Sequence, residues 1–162
     1  MKNNLIKPFS SRRVFLMTAG AIAAVGAGLL AFGWGGSLAN ARVIKVVKSP
    51  DCSCCGEWVA YLEHAGWRVD VENREDVTPT KREAGVPIDL ESCHTAFVDG
   101  YVIEGHVPLP AIEKLLAKRP DLTGISVPGM PTDAPGMGGG GELEVFGFKD
   151  GTPTGFYTRA RG

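Results

Sequence analysis

The chain has 162 residues with 17 Lys+Arg against 18 Asp+Glu, 44% hydrophobic and 22% charged, a profile that supports one globular domain and excludes disorder throughout. Gly (22) and Pro (11) together make up about a fifth of it, which excludes a long helical bundle. Residues 1–41 hold Lys2, Lys7, Arg12 and Arg13 and no acid, so the remainder carries 13 basic against 18 acidic groups, a formal net of −5. An acidic domain without a Lys/Arg run is a poor nucleic-acid binder, because phosphate neutralisation supplies most of that affinity, and no nucleic-acid partner is expected.

Residues 1–41 read as a targeting segment. A basic head is followed by no charge from Val14 to Ala41, and Ala39-Asn40-Ala41 is an A-x-A cleavage signal. Ser11-Arg12-Arg13-Val14-Phe15-Leu16 resembles the twin-arginine export signal, and the apolar run after it is diluted by Gly and Ala as in such signals. An uncleaved anchor is the alternative, since Thr18 to Ala39 is long enough to cross a bilayer. Its six glycines make it a poor one. The expected mature protein starts near Arg42, at residues 42–162, in a bacterial periplasm or an equivalent space, with no membrane attachment once the leader is removed.

Arg42 to Lys48 alternates and predicts a short buried strand, broken at Ser49-Pro50-Asp51. From about Cys54 to Ala65, Trp58, Val59, Leu62 and Ala65 recur at helical spacing with Gly66 as the stop. Trp67 to Glu72 is a second strand, and Thr78 to Ala84 a short helix entered through Pro79. Thr95 to Val98 and Tyr101 to Glu104 flank Asp99-Gly100, a strong hairpin signal. Pro110 to Arg119 is a third helix, giving β-α-β-α-β-β-α and a layered α/β sheet. With a Cys-x-x-Cys ending the first strand, this looks like a thioredoxin-like three-layer sandwich. After Pro120 the Gly/Pro/Met stretch to Gly141 reads as a flexible loop. Leu143 to Lys149 and Thr152 to Arg159 form a second hairpin about Asp150-Gly151.

The chemistry concentrates in Cys52-Ser53-Cys54-Cys55, which contains both C-x-x-C and C-x-C. A helix starting here aims N–H groups and a partial positive charge at the sulfurs, favouring thiolate, the form that binds metal or attacks disulfides. Two ordinary disulfides are the alternative. If the third strand runs antiparallel to the first, Cys93 faces this cluster, and the return of the fourth strand brings His106 to the same edge. Strand alternation aims His94 away from the face used by Cys93 and Thr95, so His94 stands between a ligand and a buried hydrogen-bonded role. His64, at the end of the first helix, fits a helix-dipole role better than a ligand. Met130 and Met137, the only methionines after the leader, lie in the Gly/Pro loop, which offers no core to bury them. The roughly 11 residues from Arg119 to Met130, at about 3.3 Å each, let the loop return to the cysteine edge. Thiolates, imidazole and thioether make a soft set suited to Cu(I).

The Cys52-Ser53-Cys54-Cys55-Gly56 cluster, Ser92-Cys93-His94-Thr95-Ala96, Asp99 to Pro108 (DGYVIEGHVP) and Val127-Pro128-Gly129-Met130-Pro131 together resemble the CopG-like proteins, small periplasmic metal-binding proteins of copper-resistance operons. The resemblance spans about residues 43 to 148. It implies a thioredoxin-like fold and a copper site built on thiolates, with sulfur bridging more than one ion. Carried over by motif, Cys52, Cys54, Cys55, Cys93, His106 and Met130 are the implied ligands, and Met137 matches less firmly. Other periplasmic copper-handling proteins are the implied partners, and Cu(I)/Cu(II) cycling and enzymatic turnover stay open. A thiol-disulfide oxidoreductase using Cys52 and Cys55 is the competing reading. The extra Cys54 and Cys93 count against it, because exchange needs one attacking and one resolving thiol. A structural zinc site is a third, and it lacks the separated cysteine pairs that zinc prefers.

Overall fold

The computed structural model describes residues 42–162, so the leader assigned to residues 1–41 lies outside it. The elements run β1 (Val43–Lys48), α1 (Ser53–His64), β2 (Arg68–Asn73), α2 (Thr78–Glu83), a 3₁₀ turn (Ile88–Leu90), β3 (His94–Val98), β4 (Tyr101–Glu104), α3 (Leu109–Lys118), β5 (Gly124–Ser126), β6 (Glu142–Lys149) and β7 (Thr152–Arg161). They form a mixed α/β fold with a seven-stranded sheet in the order β2-β1-β3-β4-β5-β6-β7. No helix among the described residues is long and apolar enough to cross a membrane.

Alternation along the central strands divides the core. Ile44, Val46, Ala96, Val98 and Ile103 share one cluster with Trp58 and Leu62 of α1 and Ile112 and Leu115 of α3. Phe97, Val102 and Phe148 form a second with Val86 and Leu90, the segment that follows α2. Successive strand residues point to opposite faces, so apolar material packs on both sides of the sheet. Both hairpins turn through Asp-Gly pairs with positive φ at each residue: Asp99 (49°) and Gly100 (86°), then Asp150 (49°) and Gly151 (77°).

Pairing fixes where the site forms. β1 runs antiparallel to β3, with Lys48 opposite His94, so the cysteine segment after β1 meets the residues that enter β3. β3 and β4 are antiparallel with Thr95 opposite Glu104, so the chain leaving β4 toward His106 arrives at that edge.

The region after Pro120 departs from the expected flexible loop. Gly124–Ser126 pairs parallel with β4 and antiparallel with β6, and three residues are too few to show a strand period. Nor does the Gly/Pro stretch lack a core. Ala134 is fully buried, and Met137 packs against the main cluster. Gly136 (φ 81°) lies so close to α1 that a Cβ there would sit 2.6 Å from the Trp58 backbone nitrogen and 2.9 Å from the Cys54 carbonyl oxygen.

Candidate metal centre

Cys52 is the residue before α1, with extended backbone, and Cys54 and Cys55 occupy the first turn. The ligand atoms of Cys52, Cys54, Cys55 and Cys93 all lie within 4.8 Å of one another. The sequence predicts four thiolates, and in this form only two of the four cysteines are free. Cys52 and Cys55 are joined by a disulfide, and Cys54 and Cys93 are free. The pairing follows from position, because residues three apart at a helix start stand one above the other. Cys54 Sγ lies 3.6 Å from Cys52 Sγ.

A second group overlaps the first: ligand atoms of Cys55, Cys93, His94 and His106 also fall within 4.8 Å of one another. His94 does turn away from Thr95, as alternation requires, and its ring lies 4.5 Å from that of Trp58 on the α1 side. The expectation that Cys93 would sit on the opposite face fails, because Cys93 occupies a bend before β3 and is not bound by strand alternation. Its sulfur is 3.8 Å from His94 Nδ1 and 3.0 Å from His106 Nε2.

The electrostatics suit a soft cation. His106 Nδ1 sits 2.6 Å from the Pro135 carbonyl oxygen, which can only accept, so Nδ1 carries the proton and Nε2 presents its lone pair toward Cys93. Burial holds the His106 pKa below its usual value against the opposing effect of that carbonyl. His94 lies well below the usual range, first through burial and then through His106, Lys81 and Lys48. Both rings are therefore neutral near pH 7. Burial, reinforced by the nearby Cys54 thiol, pushes Cys93 up to about 11. It is a thiol until a cation displaces its proton. His94 Nε2 is buried without a hydrogen-bond partner among the described residues, a costly state for a structural histidine.

The remaining candidates sit farther out. Met130 is 59% exposed, and its neighbour Gly129 is tied to the Cys93 segment by Gly129 N–H to the Glu91 carbonyl (3.1 Å) and by the Ser92 hydroxyl donating to the Gly129 carbonyl. Met137 packs on the core, and His64 is exposed at the far end of α1.

Sequence reasoning missed the supports. The Pro135 carbonyl orients His106, and no side-chain pattern marks a backbone acceptor. Trp58 donates Nε1–H to the Val107 carbonyl (3.0 Å), holding the segment beside His106. On the opposite face, Lys81, Thr95 and Glu104 form a buried network. The Glu104 carboxylate accepts from Lys81 Nζ (2.5 Å), from the Thr95 hydroxyl (2.7 Å) and from the Ser92 N–H (2.7 Å), one residue before Cys93. A Lys in α2 and a Glu ending β4 gave no local sign of meeting.

A family described as a protein of unknown function, DUF411, matches residues 90–137, which contain Cys93, His94, His106, Met130 and Met137. No curated protein matches the chain. Among solved structures, copper resistance protein copG in its form 1 is 36% identical, with 76% of this chain and all of that one covered at a TM-score of 0.68. Its form 2 is also 36% identical, covering 74% of this chain and all of that one at a TM-score of 0.65. The chain belongs to the CopG-like copper-resistance family.

Proposed function

We propose that this protein is a periplasmic copper-binding protein of copper tolerance, with a thioredoxin-like fold, holding more than one copper ion as Cu(I)/Cu(II) cargo at a thiolate-bridged site. The observation that carries the reading is the overlap of two donor groups, four sulfurs in one and two sulfurs with two imidazoles in the other, sharing Cys55 and Cys93. Shared sulfurs suit bridged ions, and the soft set suits Cu(I). The solved relatives named for copper resistance support the choice of metal.

In this reading Cys54 and Cys93, joined by Cys52 and Cys55 when reduced, bind by losing their protons. His106 binds through the Nε2 left free by Pro135, and His94 through a nitrogen its burial keeps unprotonated. Met130 supplies a thioether from the segment tied to Ser92, and Met137 is the more distant candidate. Elemental analysis of anaerobically purified protein, with and without added copper, tests the reading. More than one copper per chain is expected under reducing conditions. Saturation at one copper would end the multinuclear form, and zinc displacing Cu(I) would end the copper reading.

Export through the leader is part of the same proposal. Arg12→Lys with Arg13→Lys should leave the precursor uncleaved in the cytoplasm. Normal maturation of that double variant would point to the general secretory route.

The Cys52–Cys55 disulfide favours a second reading, a thiol-disulfide oxidoreductase. Cys93→Ser and His106→Ala separate the two. An oxidoreductase keeps insulin-type reductase activity in both variants, whereas a copper protein loses copper content or Cu(I) affinity in both.

A further inference from the structure

Two lysines are buried in this fold, and their charges are met differently. Lys81 is 4% exposed and is paired with the Glu104 carboxylate. Lys48, the last residue of β1, is 7% exposed, and no ion pair among the described residues includes it. Asp51, the nearest acid in sequence, is exposed and outside ion-pair distance. Lys48 Nζ donates to the Ser49 carbonyl (2.7 Å), its one hydrogen bond among the described residues. A buried ammonium is costly unless a group of opposite charge meets it. The position of Lys48 points to that group. The Ser49 carbonyl that accepts from Nζ also accepts the Cys52 N–H (3.2 Å), so the ammonium is fastened to the turn that carries Cys52. Lys48 also stands opposite His94 in the β1–β3 register, and cross-strand partners share a face. Its charge is felt there, because it is one of the groups that hold the His94 pKa down.

We propose that Lys48 is the fixed countercharge of the metal centre, facing the Cys52 thiolate of the reduced protein, and that it biases the site toward monovalent over divalent cations; the inference rests on the copper reading above. Each cysteine that binds by shedding its proton brings one negative charge, and each Cu(I) brings one positive charge. A set with more thiolates than ions is therefore anionic, and the ammonium stabilises that excess. Putting Zn(II) in place of Cu(I) on the same thiolates removes one negative charge per ion, and the attraction to Lys48 falls with it. Sulfur donors alone do not make this distinction, since zinc also binds thiolate and imidazole. Lys48 gives no electron pair to the ion; it acts through the sulfur beside it.

The test uses the protein reduced and freed of reductant without oxygen, in two measurements. The first needs no metal: Cys52 is alkylated with anionic iodoacetate and with neutral iodoacetamide, and peptide mapping gives the ratio of the two rates. That ratio cancels the thiolate fraction and reports the local charge. Lys48→Met should lower it about threefold or more, and Lys48→Arg should keep it. The second measures Cu(I) and Zn(II) affinities by chelator competition. Lys48→Met should weaken Cu(I) about fivefold or more and Zn(II) by less, and Lys48→Arg should restore the preference. Lys48→Gln keeps a donor for the Ser49 carbonyl without the charge, so it should behave as Lys48→Met and replaces it if that variant does not fold. An alkylation ratio unchanged in the neutral variants, or equal losses of Cu(I) and Zn(II) affinity, would overturn this proposal alone while the unaltered protein retains Cu(I). Failure of the unaltered reduced protein to retain Cu(I) would overturn the copper reading itself and this proposal with it.

Discussion

The two faces of the β3–β4 hairpin treat their polar groups in opposite ways, although the residues concerned are neighbours in sequence. On one face Glu104 is fully buried and its carboxylate accepts three hydrogen bonds, from Lys81, Thr95 and the Ser92 backbone. On the other, His94 is equally buried, yet its Nε2 has no partner among the described residues and its Nδ1 reaches only a sulfur at 3.8 Å. A buried polar atom without a partner costs about 1–3 kcal/mol. The saturated face has the economy of a structural network. The short-changed face is what a protein keeps when the missing partner is a ligand.

The largest expected effect breaks the saturated face. Lys81→Met leaves the Glu104 carboxylate buried without its cation and should cost about 3–5 kcal/mol in urea denaturation. A loss under about 1 kcal/mol would show that the network is not what holds this face.

Next comes the loop that serves the other face. Gly136→Ala adds a Cβ at positive φ against the Trp58 backbone nitrogen and the Cys54 carbonyl. It should cost about 1–3 kcal/mol and, by displacing the Pro135 carbonyl from His106, weaken Cu(I) binding about 10-fold or more. Stability lost with affinity intact would detach the loop from the site.

A pH titration of metal-free stability sharpens the comparison further. His94 and His106 have depressed pKa values in the folded state, so their contribution is present above the ordinary histidine pKa and is lost as pH falls below it. Cys93 has a raised value of about 11 against an ordinary 9.0. Its contribution is complete below pH 9 and lost as pH rises toward 11. Chemical denaturation between pH 5 and 11 should show both limbs, and Cys93→Ser should flatten the alkaline one. An acid limb that persists in His94→Leu and His106→Ala would assign it to other groups.

The smallest stability change is expected from His94→Leu. It removes the unpartnered nitrogen but also the ring contacts with Trp58 and His106, so gain and loss offset and stability should move by less than about 1 kcal/mol while Cu(I) affinity falls at least about 10-fold. A loss above about 3 kcal/mol would mark His94 as structural and end the contrast between the faces.

Much of this was legible in the sequence because the signals are local. Periodicity marks β1, α1 and α3 to within a residue or two, and the two Asp-Gly pairs mark both hairpins. The meeting of Cys93 and His106 with the cysteine segment follows from antiparallel pairing alone. What was not legible depends on single bonds between distant segments. β5 is three residues long and exists through its neighbours. The bend at Cys93 defeats strand alternation, and a carbonyl at Pro135 carries no side-chain signature. In the Gly/Pro stretch the methionines are the visible signal, whereas its tight contact with α1 is made by a glycine.

Burial across the site is graded, and the grading sets a direction of travel. Cys52, Cys54 and Cys93 are partly exposed, while Cys55, His94 and His106 are buried. An arriving cation therefore meets sulfur before nitrogen, and a departing one leaves through sulfur last. On the copper reading proposed above, transfer to a thiol-bearing acceptor would proceed by one thiolate replacing another at the rim, without the ion ever being free in water.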